Sequence, residues 1–328
     1  MAEVVNSINS KNFETATKAF YSSVDGEKYI DFLIITVSSY KKHNNIPIDW
    51  IVICKDEDSL EHIKSMTEFL TDDTVKMVYT VMPTPPKEVD YSLYNSFKWT
   101  TDYASEIFCK RIYFVDVWKD RYDLLVCIDL DVLFIGDVKE TVINFFNSEC
   151  AIGGQYEYFN VEFGFSSCLK IKMPELKYRA YNYINFGFGM LNTRYLRNDN
   201  YLHFVEMSKG IEDQFNTQEQ AYFAYEYQKS IKVYRHLQMH PHVLIRQNRK
   251  YSMIHFTPSK YITESMETYD PLDPLFVSTT LYFKTYALFA LTCNISNKFR
   301  KTLEENLAIY CKKVTPSIIR RFSFSYCL

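Results

Sequence analysis

The chain has 328 residues, room for one large domain or two ordinary ones, and its 47% hydrophobic against 23% charged residues favours a packed core over disorder. A formal net charge of −3 leaves no electrostatic footprint for nucleic acid.

In chain order, residues 18–23 are short and aromatic and read as a first strand, followed by a turn at Asp25-Gly26. Tyr29, Phe32, Leu33, Thr36, Val37 and Tyr40 recur at helical spacing and predict a helix over 28–43. Trp50 to Cys54 reads as a second buried strand. A helix over 58–70 opens at Asp58-Ser59 and carries Leu60, Ile63, Met66, Phe69 and Leu70. Val75 to Val81 is a third strand, closed by Pro83, Pro85 and Pro86, which block an immediate helix. Residues 92–118 read as a long helical stretch leading into Leu124–Ile128, the unbroken apolar run of a strand buried on both faces. A short helix over 139–147 and a strand over 151–154 follow, while the aromatic-dense stretch 155–183 resists assignment. Ile184 to Asn192 reads as a strand whose Gly187 and Gly189 mark a close approach to the backbone. Residues 198–209 and 217–229 are helical in pattern, and 231–234 and 253–256 are short strands. The acidic, proline-containing segment from Thr263 to Pro274 marks a boundary, with two or three helices beyond it. Alternating strands and helices predict an α/β fold with a mostly parallel sheet, in which ligands collect at the carboxyl ends of the strands.

The central strand ends in Asp129-Leu130-Asp131, two carboxylates on one face of an extended chain. Such a pair repels unless a cation lies between, and oxygen ligands suit Mg²⁺ or Mn²⁺, which usually also hold substrate phosphates. A plain loop with two exposed aspartates is the competing reading. None of the eight cysteines forms a Cys-x-x-Cys pair, which argues against zinc; Cys54 and Cys127 lie in apolar strands, which argues for reduced thiols and a cytoplasmic setting. The first residues carry no basic-then-apolar pattern, so no signal peptide is expected. Residues 275–293 are the one stretch apolar enough to suggest a membrane span, but Lys284 at its centre favours a helix of a soluble protein.

Five blocks in order carry a family resemblance. The first is Asp25-Gly26-Glu27-Lys28-Tyr29, running into a helix that ends Ser38-Ser39-Tyr40-Lys41-Lys42-His43. The second is Lys110-Arg111-Ile112, and the third is Tyr122 to Val138. The fourth is Asn185-Phe186-Gly187 with Met190-Leu191-Asn192, followed by either Asp213-Gln214 or Glu219-Gln220. The fifth is Met253-Ile254-His255-Phe256-Thr257-Pro258-Ser259-Lys260-Tyr261. Together they resemble glycosyltransferase family 8, the glycogenin-like and bacterial galactosyltransferase-like enzymes of GT-A fold, over about Lys18 to Tyr261. Phe186 is larger than the family's usual small residue, Pro258 replaces a glycine, Lys260 falls slightly early, and the family's closing Pro-Trp is missing.

The resemblance implies a Rossmann-like, mostly parallel mixed sheet flanked by helices, with a catalytic domain over 1–265 and a C-terminal helical extension over 266–328. It implies a metal-dependent hexosyltransferase that carries a hexose from a UDP-sugar to a glycan or protein acceptor with retention of configuration. Asp129, Asp131 and His255 would hold Mn²⁺ or Mg²⁺. Tyr29 would pack on the uracil with Asp25 near the base, and Leu130 would offer backbone contacts to the ribose. Arg111 or Lys110, with Lys260, would face the diphosphate. Asn185 would bind sugar hydroxyls, Glu219 (or Asp213) would bind another, and Gln220 would lie beside the anomeric carbon. A homodimer is a candidate assembly; nucleic acid and a membrane span are not expected. Two other readings compete: a catalytically inactive nucleotide-sugar-binding scaffold of the same fold, and a metal-dependent nucleotidyltransferase or phosphohydrolase.

Overall fold

In the computed structural model, the residues described are 12–94, 102–156, 183–212, 218–234, 237–239, 251–256 and 283–313. The chain opens β1 (Lys18–Val24), α1 (Glu27–His43), β2 (Ile48–Cys54), α2 (Glu57–Thr67) and β3 (Val75–Val81). It continues with α3 (Asp102–Trp118), β4 (Leu124–Ile128), β5 (Val132–Phe134), α4 (Lys139–Phe146) and β6 (Ile152–Tyr156). Then come β7 (Ile184–Asn192), α5 (Asn200–Ser208), α6 (Gln218–Glu226), β8 (Ile231–Tyr234), β9 (Gln238–Met239) and β10 (Met253–His255). Residues 283–290 form α7, and Asn297–Lys313 forms α8. The helix expected over 58–70 ends instead in a 3-10 turn at Glu68–Leu70, and the long stretch expected from 92 begins as a separate 3-10 turn at Tyr91–Tyr94.

Seven strands form one sheet in the order β3-β2-β1-β4-β7-β6-β8. β4, β1, β2 and β3 are mutually parallel, and β7 lies antiparallel between β4 and β6. Side chains alternate across this sheet, so one strand feeds two cores. Leu124, Val126 and Ile128 of β4 pack with α1 residues such as Phe32, Val37 and Tyr40. Leu125 and Cys127 pack on the other side with Ile112, Phe114 and Val115 of α3. Each aliphatic or Phe side chain buried this way contributes about 1.5–3 kcal/mol, which is why the apolar runs read so plainly as strands. Phe20, Tyr40, Trp50 and Phe134 meet edge to face at 5.1–5.9 Å beneath the carboxyl end of β4, the geometry aromatic quadrupoles prefer.

A second sheet, β5-β10-β9, projects from that end. It pairs the strand after the aspartates with the strand carrying His255, setting His255 opposite Val132 in antiparallel register. Among the described residues β5 has β10 as its one strand neighbour, and polar residues of α1 and its C-terminal end bond the backbone on its outer side. The Thr36 hydroxyl lies 2.8 Å from the Leu130 carbonyl and 2.9 Å from that of Val132. Phe134 N–H donates to Ser39 Oγ, and Val138 N–H donates to Asn44 Oδ1.

The C-terminal helices close over α1. The Asp31 carboxylate accepts from the backbone N–H and hydroxyl of Ser296 at 2.6 and 2.7 Å, fixing the start of α8. In α7, Phe283, Tyr286, Ala287 and Ala290 are buried at helical spacing, while Lys284 is exposed. Among the described residues no helix is long and apolar enough to cross a membrane. The segment 263–274, where the domain boundary was expected, lies outside the described residues.

Candidate functional site

β4 delivers Asp129 and Asp131, β10 delivers His255, and their ligand atoms all lie within 4.8 Å of one another. His255 Nε2 is 3.1 Å from Asp131 Oδ1 and 3.5 Å from Asp129 Oδ2. The histidine side chain is only 3% exposed, whereas those of Asp129 and Asp131 are 38% and 18% exposed, so the cluster opens to solvent on the carboxylate side. Backbone bonds hold it: Asp129 N–H donates to the Gly187 carbonyl at 3.1 Å, and Phe256 N–H donates to the Asp131 carbonyl at 2.9 Å. Two carboxylates and one imidazole converging on a point suit a hard divalent ion such as Mn²⁺ or Mg²⁺, and an open side leaves room for substrate oxygens.

Gly187 explains the close approach read from its strand. A Cβ there would lie 2.3 Å from His255 Cε1 and 2.8 Å from Asn185 Oδ1. Phe186, the bulky departure, turns away from the cluster. Its ring stacks on Phe223 with centroids 5.4 Å apart and occupies the space a side chain at Gly189 would need. Asn185 Oδ1 accepts from Gly187 N–H at 2.8 Å, and Gln220 Oε1 accepts from Phe186 N–H at 3.1 Å.

Lys110 and Arg111 face different neighbours. Lys110 is partly buried and pairs with Glu106 one turn back on α3 at 2.6 Å. Arg111 is buried, with Nη1 3.7 Å from Asp129 Oδ1, Nε 3.0 Å from Glu219 Oε2, and Nη2 against Cys127 Sγ. The Nε–Oε2 contact falls off hydrogen-bond alignment, so it is an ion pair rather than a directed bond. Burial pushes the Glu219 carboxyl up to about 7, against the pull of Arg111 and with a push from Asp129. The guanidinium itself stays charged, the cost of its burial offset by Glu219 and Asp129.

Leu130 is buried with its carbonyl on Thr36. Asp25 and Tyr29 sit at the carboxyl end of β1, both half-buried, in the turn around Gly26 (φ 84°) that starts α1. Lys260 and Asp213 lie outside the described residues. Four residues that the sequence did not single out for the site also belong to it. Thr36 and Ser39 carry the Asp129–Phe134 segment; Gln238 meets His255; Tyr286 of α7 is fully buried, its ring 4.9 Å from Phe256 and its hydroxyl without a hydrogen-bond partner. Polar residues at core-facing positions of α1 are the signal that marks the first two.

No protein-family model and no curated protein matches the chain. Solved structures match it in three dimensions. An active-site mutant of the galactosyltransferase LgtC aligns at TM-score 0.57 and 12% identity, over 87% of this chain and 99% of that one. Mouse xyloside xylosyltransferase 1 aligns at TM-score 0.50 and 12% identity, over 74% and 97%. The bifunctional glycosyltransferase WbbM aligns at TM-score 0.57 and 11% identity over 89% of this chain, which spans about half of WbbM's length. The fold is therefore the GT-A type: a mixed, mostly parallel Rossmann-like sheet of seven strands flanked by helices.

Proposed function

We propose that the protein is a metal-dependent glycosyltransferase that moves a hexose from a UDP-sugar to a hydroxyl of a glycan or protein acceptor, with retention, in the manner of glycosyltransferase family 8. The observation that carries this reading is the Asp129–Asp131–His255 cluster at the carboxyl end of β4 in a GT-A fold. A bound Mn²⁺ or Mg²⁺ would neutralise the departing diphosphate as a Lewis acid. The chain's own residues do the rest by positioning. Tyr29 and Asp25 receive the base, the Leu130 backbone the ribose, and Asn185 the sugar hydroxyls. Arg111 fixes a positive charge behind Asp129 and holds Glu219, while Gln220, anchored on Phe186 N–H, lies toward the anomeric carbon. Lys260 adds charge at the diphosphate. The acceptor oxygen attacks the anomeric carbon from the side on which the bond to the phosphate oxygen breaks, and the acceptor proton leaves with the diphosphate.

A panel of UDP- and GDP-sugars tests this by thermal stabilisation with and without Mn²⁺. A donor at 100 times its Kd should add about 2.7 kcal/mol of stability, and only with the ion. Metal-dependent release of UDP from one UDP-sugar is the expected activity. Release of pyrophosphate from a nucleoside triphosphate and a sugar phosphate would replace this reading with a nucleotidyltransferase.

A further inference from the structure

We infer that Gln238 is a positioning residue for His255: its amide oxygen selects the imidazole tautomer that leaves Nε2 bare for a divalent cation. This rests on the metal reading above. Nε2 is the nitrogen that faces Asp129 and Asp131, so an ion among the three groups needs the lone pair there. A neutral imidazole carries one N–H, which must then sit on Nδ1. Nδ1 lies 3.1 Å from Gln238 Oε1, an acceptor. Turned about its amide, Gln238 would offer an N–H instead, and Nδ1 could only accept. The ring hydrogen would then move to Nε2, where the ion belongs.

The surroundings hold Gln238 in register for this. β9 runs parallel to β10, with Met253 opposite Gln238 and Ile254 opposite Met239. Gln155 Oε1 accepts from the N–H groups of both Leu237 and Gln238, at 2.8 and 3.0 Å, which anchors the two-residue strand. Gln155, Gln238 and His255 are 1%, 1% and 2% exposed, so bulk water does not compete for these bonds. Gln238 Nε2 is buried without a hydrogen-bond partner. A leucine here would avoid that desolvation cost, so the acceptor end is what the site uses.

The test compares wild type with Gln238→Leu, which removes the acceptor, and Gln238→Glu, which keeps an acceptor and no donor. Mn²⁺ affinity is read from the electron paramagnetic resonance signal of the free aquo ion. The tautomer is read from ¹⁵N shifts of labelled histidine under saturating Mg²⁺. Gln238→Leu should bind Mn²⁺ about 10- to 100-fold more weakly, Gln238→Glu should restore binding, and wild type with Mg²⁺ should show the hydrogen on Nδ1. A Gln238→Leu protein with wild-type Mn²⁺ affinity, whatever its Tm, overturns the inference alone. Should that variant not fold, weak binding by Gln238→Glu or an Nε2–H signal in wild type overturns it instead. Wild type that binds no Mn²⁺ overturns the metal site itself and this inference with it.

Discussion

Gly187→Ala should break the candidate metal site without touching any ligand. The glycine's φ is not in the left-handed region, so alanine brings no backbone strain, and the effect is all in the added methyl group. That carbon would sit 2.3 Å from His255 Cε1 and 2.5 Å from Nδ1. Carbon atoms rest at about 3.5–4.0 Å, so the ring must retreat by about 1 Å or more, while metal–ligand distances tolerate roughly 0.2 Å. Gln238 behind the ring and the Val132 pairing of β10 oppose the retreat. The overpacking should cost about 1–3 kcal/mol of stability. Mn²⁺ affinity should fall by about 10- to 100-fold or more, the scale of a disturbed ligand shell. Titrating Mn²⁺ against wild type, Gly187→Ala, His255→Ala and the double variant separates the two effects. Because the methyl group acts through the imidazole, it should cost no further Mn²⁺ affinity once His255 is gone. An unchanged Mn²⁺ affinity in Gly187→Ala, with the protein folded, would refute the reasoning.

Asp131→Asn and Asp129→Asn remove one anionic ligand each at constant volume. Turnover should drop by more than about 100-fold, beyond what outer-shell losses reach; in urea melts, metal-free Asp131→Asn should be at least as stable as wild type because carboxylate repulsion is relieved, while Asp129→Asn should gain less because it also removes a partner of the buried Arg111. Glu219 gives a pH signature. Its folded-state pKa of about 7 lies above the ordinary 4.5, so the folded state holds the proton more tightly. The resulting stability is complete below about pH 4.5 and is lost as pH rises to about 7, by roughly 3 kcal/mol. Metal-free Glu219→Gln, with no proton to lose, should therefore gain on wild type over that window in urea melts; a gain that shrinks with pH would mean Arg111 keeps Glu219 ionised throughout. Tyr286→Phe should leave the Tm unchanged or raise it, because the hydroxyl it removes is buried without a partner; a clear loss of stability would show that the hydroxyl is bonded.

Much of this protein is written in local sequence. The apolar runs of β1, β2 and β4 and the one-sided spacing of α2 announce themselves, because a strand buried on both faces and a one-faced helix each leave a pattern on the chain. Asp129-Leu130-Asp131 was legible for the same reason: two acids ending an unbroken apolar strand are costly unless something neutralises them. The glycine at 187 signalled a close approach, though not what approaches. The rest depends on contacts across long separations, which no period encodes. His255 reaches the aspartates only because β10 pairs with β5 in a register that sets it opposite Val132. Arg111 rather than Lys110 faces Asp129 because α3 turns that residue toward the sheet. Thr36 and Ser39 look like interruptions of an apolar stripe until β5, with one strand neighbour among the described residues, takes them as partners for the backbone around it. Gln238 is an ordinary amide in sequence; a two-residue strand beside β10 and the side-chain amide oxygen of Gln155 make it the neighbour of His255. Local sequence fixes which segments become strands and helices, because burial acts residue by residue; only the packed sheet decides which distant side chains share a carboxylate, a ring nitrogen or a cation.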